Sequence, residues 1–90
     1  MLKYFITSKT KRSMLKLFLT NPDRSFYVRE AAMLTNESLN AVRRELNYLE
    51  KAGLLKFFAK GNQKHYSVIK EFPFYPELRK FVLGTIAHGD

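Results

Sequence analysis

Cysteine is absent from this 90-residue chain, which excludes both a disulfide framework and a thiolate metal site. Histidine is scarce. His65 falls in a strand-like stretch and His88 near the last residue, so no paired base and orienter for catalysis is indicated. Of the few glycines, Gly53 and Gly61 sit where a helix cap and a turn are expected, outside any phosphate-binding glycine pattern. No apolar run is long enough to span a membrane. The opening Met1-Leu2-Lys3-Tyr4-Phe5-Ile6 is too short for a signal h-region and lacks a small-residue cleavage site. A soluble, cytoplasmic protein is the expectation. Internal repeats and low-complexity segments are absent.

Acids are the other deficit: 8 Asp and Glu stand against 16 Lys and Arg, for a formal charge of +8. The acids are scattered. Glu30 and Glu37 read as solvent-facing charges, and Glu45 as a partner for neighbouring arginines. No enzyme, cofactor or metal site is expected from such a set. The excess of base is concentrated in two blocks. Residues 1–20 hold five bases (Lys3, Lys9, Lys11, Arg12, Lys16) and no acid, and residues 38–66 carry a net +4. A polyanion is the natural partner for that distribution, with general solubility as the plainer alternative.

What is present is an apolar share of 46%, enough for one small domain with a real core and not for two. The most informative stretch runs from Ser38 to Gly53, a start signal and a stop signal with good helix formers between them. Leu39, Val42, Leu46 and Leu49 form one apolar stripe at spacings of three and four. Asn40, Arg43, Arg44 and Asn47 share another face. A merely solvated face more usually mixes Glu with Lys. Guanidinium and amide forks are the groups that read guanine and adenine edges in a major groove.

Around this helix the chain reads in order. Leu2 to Ile6 is a helical turn or a short strand. Ser8 caps a first helix to about Thr20, burying Met14, Leu15, Phe18 and Leu19. Asn21-Pro22-Asp23 is a turn, and Ser25-Phe26-Tyr27-Val28 one edge strand. A short helix from about Arg29 to Leu34 carries Ala31, Ala32 and Leu34 toward the core. With the polar break Thr35-Asn36-Glu37 and the long helix, it makes a helix-turn-helix over 29–52. Leu54–Phe58 and Lys64–Val68 flank Ala59-Lys60-Gly61-Asn62-Gln63 as a hairpin over 54–68, with Gly61-Asn62 supplying positive φ at the tip. Lys60, Asn62 and Lys64 cluster there, where no core requires them. Such a hairpin is a wing, suited to laying bases along phosphates. Pro73 and Pro76 stiffen a connector before a final helix at about 76–85. Phe72, Phe74 and Tyr75 either complete the core or form a dimer interface with the N-terminal helix.

The resulting fold class is mainly α with a small β-sheet, in the order helix, short strand, helix-turn-helix, β-hairpin wing, C-terminal helix. Residues 1–90 read as one winged helix-turn-helix domain with an N-terminal arm at 1–7 and a first helix at 8–20. At this point the chain resembles the ArsR/MarR-like winged-helix transcriptional regulators over nearly its whole length. The matching phrases are Ser25-Phe26-Tyr27-Val28-Arg29-Glu30-Ala31-Ala32, Asn40-Ala41-Val42-Arg43-Arg44-Glu45-Leu46, Leu49-Glu50-Lys51-Ala52-Gly53-Leu54-Leu55 and Gly61-Asn62-Gln63-Lys64-His65-Tyr66. The resemblance implies Asn40, Arg43, Arg44 and Asn47 on base edges of double-stranded DNA, with Lys60, Asn62 and Lys64 on phosphates. Asn36 and Ser38 are further phosphate candidates at the helix N-terminus. Metal sensors of that family carry clustered Cys or His ligands, which this chain lacks, so metal control is not expected. The run from Phe72 to Gly84 resembles a subgroup whose winged helix precedes a nucleotidyltransferase-like domain. This implies a free-standing version or one module of a longer chain.

The expectation is thus a sequence-specific DNA-binding transcriptional regulator, a homodimer through its terminal helices, cytoplasmic and associated with a prokaryotic nucleoid. Two rivals stay open. One is a winged-helix protein-interaction or dimerisation module, whose mark would be a neutral or acidic recognition face. The other is RNA binding, or a DNA- or RNA-binding module of a longer nucleotidyltransferase-type protein, since basic patches do not distinguish duplexes. Tyr48, Phe57 or Phe58 would stack single-stranded bases if exposed, although core or hairpin packing is the commoner role for such residues.

Overall fold

The computed structural model describes residues 8–87. The arm at 1–7 and His88 lie outside the described residues. Helix α1 (Lys9–Leu19) is capped by Ser8, whose hydroxyl oxygen accepts from the Lys11 N–H at 3.3 Å. Its apolar side, Met14, Leu15, Phe18 and Leu19, is buried and forms the centre of the core. The turn at Asn21-Pro22 leads to strand β1 (Phe26–Tyr27). Phe26 meets Phe18 edge to face, with ring centroids 5.2 Å apart, an arrangement that aromatic quadrupoles favour.

Helices α2 (Val28–Thr35) and α3 (Leu39–Lys51) form the helix-turn-helix. They terminate by the same device. After α3, Gly53 takes φ +90°, the Gly53 N–H donates to Glu50 O and the Leu54 N–H donates to Leu49 O, both at 3.1 Å. After α2, Asn36 takes the left-handed conformation at φ 56°, and the Glu37 N–H donates to Ala32 O at 3.1 Å. Glycine and asparagine are the residues that tolerate this reversal.

Strands β2 (Leu55–Lys60) and β3 (Gln63–Val68) form the wing hairpin, and β1 pairs with β3 on its other side. The sheet is antiparallel in the order β1-β3-β2. Helix α4 (Tyr75–Ala87) closes the core from the far side, with Val82 buried and Leu78 and Phe81 packed against it. Arg79 ties it to α1 by donating to Leu19 O at 3.2 Å. The element order is the one read from the sequence.

Three local expectations change. The inward stripe of α2 is Val28, Ala31, Ala32 and Thr35, at spacings of three and four, with the two alanines buried and the other two half-buried, which leaves Leu34 52% and Met33 72% exposed instead of Leu34 facing inward. The hairpin ladder continues to the pair Lys60 and Gln63, so the turn is two residues and not five. Of Gly61 and Asn62, only Gly61 has positive φ, at 61°, the requirement of a type II′ turn, whereas type I′ needs both. Finally, Phe72 and Tyr75 pack on the core, but Phe74 stays 67% exposed.

Candidate nucleic-acid interface

The position of α3 is set by burial. Val42, Leu46 and Leu49 are sealed against α1 and the sheet, which turns Asn40, Arg43, Arg44 and Asn47 outward, all exposed. Ser38 fixes the start of the helix, its hydroxyl oxygen accepting the Ala41 N–H at 3.2 Å. Among the described residues no carboxylate lies within ion-pair distance of Arg43 or Arg44.

Glu45 is the acid nearest to them in sequence, and it does not pair with them. Its carboxylate meets Lys11 Nζ of α1 at 2.7 Å, both side chains being largely buried. The same ammonium sits 3.9 Å from the centre of the Tyr48 ring. Lys11 thus neutralises, from a different helix, the acid next to Arg43 and Arg44 in sequence. Glu30 and Glu37 are also engaged, contrary to the solvent-facing role expected of them. Glu30 accepts the Tyr27 N–H at 3.2 Å at the start of α2 and pairs with Arg24 at 2.9 Å. Glu37 accepts from Ser13 at 2.9 Å and from Thr10 at 3.0 Å, pinning the turn before α3 to α1. The Ser13 hydrogen bond, with further help from Thr10 and the charges of Lys9 and Arg12, holds the Glu37 carboxyl below its ordinary range.

Between α3 and the wing lies an open cleft of two adjoining depressions, of about 300 and 400 Å³. Arg43, Lys64 and Val28 line both. Asn40, Arg44 and Asn47 join the second and Asn62 the first. The Lys64 ammonium stands 4.0 Å from the Phe57 ring centre, on the side of the hairpin that faces α3. Six of the nine residues singled out from the sequence therefore share one concave, basic surface. Asn36 and Ser38 do not line it; they hold a left-handed turn and a helix cap. Lys60 pairs with Gln63, one position along from the Ala59 and Lys64 pair, so the alternation of the strand turns it to the opposite side of the sheet. Arg29 was missed in the sequence. Exposed at the start of α2, it lines the first depression beside Arg43 and Lys64, and the phrase Tyr27-Val28-Arg29-Glu30 at the entry to the helix-turn-helix was the available signal.

Among the described residues no group of His, Asp or Glu is arranged to hold a metal, and no helix is long and apolar enough to cross a membrane. No protein-family model matches the chain, and no curated protein matches its sequence. Solved structures do resemble it. The antimony-specific transcriptional repressor AntR superposes with a TM-score of 0.74 at 20% identity, covering 97% of this chain and 75% of that one. A mutant MarR from E. coli gives 0.70 at 14% identity, covering 97% and 65%. Sso10a-2, a DNA-binding protein from Sulfolobus solfataricus, gives 0.66 at 15% identity, covering 90% and 80%. At such identities the likeness speaks for the fold: the chain has the winged helix-turn-helix fold of ArsR/MarR-like regulators.

Proposed function

We propose that this protein is a sequence-specific double-stranded DNA-binding transcriptional regulator that seats α3 in the major groove. The observation that carries this reading is an exposed Asn and Arg face without a carboxylate partner among the described residues, across a cleft from Lys64. Arg43 and Arg44 serve as forks for guanine, and Asn40 and Asn47 for adenine. Lys64 and Arg29 neutralise phosphates and the Asn62 amide donates to one, with Ser38 and Asn36 as further contacts at the start of α3. Phosphate contacts of this kind supply affinity and steep salt dependence; the α3 face supplies sequence choice. The fold likeness to AntR and MarR and to the DNA-binding Sso10a-2 supports the reading. A cytoplasmic homodimer joined through the terminal helices completes it, because two copies read a two-fold site.

The experiment is selection of the purified protein on a random duplex DNA pool at two salt concentrations. The expected result is an enriched motif with half-sites about one helical turn apart. Salt-sensitive binding without enrichment would remove α3 from the reader's role. No binding at low salt would sink the DNA reading and leave the fold as a protein-interaction module.

A further inference from the structure

The outer side of the sheet, turned away from α3, carries a second arrangement of bases and aromatics. Tyr27, His65 and Phe58 are cross-strand partners in one row, with Tyr27 at the rim that also lines the first depression. Phe58 and His65 stack nearly parallel, with centroids 5.2 Å apart at 16°, and Tyr27 meets the imidazole at 5.4 Å. Phe58 is 48% exposed, although nothing in the core requires a phenyl ring there. Lys56 and Lys60 stand two residues before and after it, on the same side and both exposed. At a strand rise of ~3.3 Å per residue their backbones are roughly 13 Å apart, with the ring between them. None of the three strands contains an acid; Asp23, paired with Lys70, and Glu71 border the depression beside Lys56.

We propose that this outer face is a second binding site, a stacking platform for unpaired bases of single-stranded DNA. One base lies on the open side of Phe58, continuing the stack through His65, and Lys56 and Lys60 take the phosphates on either side. An aromatic ring accepts any base, and lysines beside it track the backbone, which is the general chemistry of single-strand recognition. Charge complementarity selects a nucleic acid over an apolar partner. The choice of DNA over RNA rests on the duplex reading of the cleft. The outer face is the reverse of the same hairpin, so a duplex held on α3 presents any opened strand close to it.

The chain contains no tryptophan, so Phe58→Trp installs a single indole reporter while keeping an aromatic platform. Titration of the F58W protein with a dT12 oligonucleotide should quench its emission to saturation. Phe58→Ala should weaken dT12 binding by about tenfold, within the range for loss of one stacked base, and leave duplex affinity within roughly twofold. Binding of dT12 without quenching, or an F58A protein that binds dT12 as the wild type does, would overturn the platform. Tighter binding of rU12 than of dT12 would overturn the choice of DNA. The two readings fail separately: a wild-type protein that ignores duplex, with an F58W variant that dT12 still quenches, removes the cleft and keeps this face.

Discussion

The two helices of the helix-turn-helix end by the same reversal, yet their polar groups face different audiences. In α2, apart from Arg29 at its start, they are turned to the protein. Glu30 holds the Tyr27 N–H and Arg24, Thr35 donates to Ala31 O at 2.7 Å, and Asn36 adopts the left-handed turn. In α3 the corresponding groups are turned away from it. Asn40, Arg43, Arg44 and Asn47 are exposed, and among the described residues the arginines have no carboxylate partner. A hydrogen bond within the fold adds only ~0.5–1.5 kcal/mol net, because water competes for the same groups. Leaving four such groups unmade therefore costs α3 little and keeps them available. The lesson is that a binding face is recognised by what its side chains decline to do within the molecule.

That contrast can be broken most directly on α3. Arg43→Ala and Arg44→Ala should each lose about 1–3 kcal/mol on the preferred duplex and relax base choice, with thermal stability unchanged. Equal losses on all sequences would recast both residues as phosphate contacts. The reverse outcome is expected on α2. Glu30→Ala removes an N-terminal hydrogen bond and an ion pair, so it should lower stability by ~1 kcal/mol while leaving duplex affinity intact, as read by denaturant melts and binding isotherms. A binding loss without a stability loss would place Glu30 on the wrong side of the comparison.

The smallest effect concerns the turn between the two helices. The Glu37 carboxyl is held below its ordinary value of about 4.5, first by Ser13 and then by Thr10, Lys9 and Arg12. A depressed carboxyl contributes stability that is present above its unfolded value and lost as pH falls through its folded one. Glu37→Gln should therefore melt slightly below the wild type at pH 7, and the two proteins should converge as pH drops below about 4.5. A difference that persists in acid would assign the effect to packing.

Much of this was legible in the sequence because the signals are local. Ser8 and Ser38 announce helix starts, Gly53 a helix end and Gly61 a turn, and the stripe of Val42, Leu46 and Leu49 fixes which way α3 faces. The parts that escaped depend on register or distance. Lys60 and Lys64 look like one cluster in the chain, but a ladder that reaches Lys60 sends them to opposite sides of the sheet. Leu34 looks like core until Val28 is counted into the helix, which rotates the buried stripe past it. Glu45 looks like a partner for its neighbours because Lys11, its actual partner, lies 34 positions away.

That last contact limits how the reading helix can be exchanged. Residues 39–51 are commonly pictured as a cassette, to be swapped when a new base preference is wanted. Here the electrical character of the cassette is decided by a lysine on another helix. A graft of this segment into a scaffold lacking a base at the position of Lys11 would bring an uncompensated Glu45 beside Arg43 and Arg44. Conversely, a foreign helix without an acid at position 45 would strand a largely buried ammonium under Tyr48. The heritable unit of specificity is accordingly the helix together with residue 11, and any transplant should carry both.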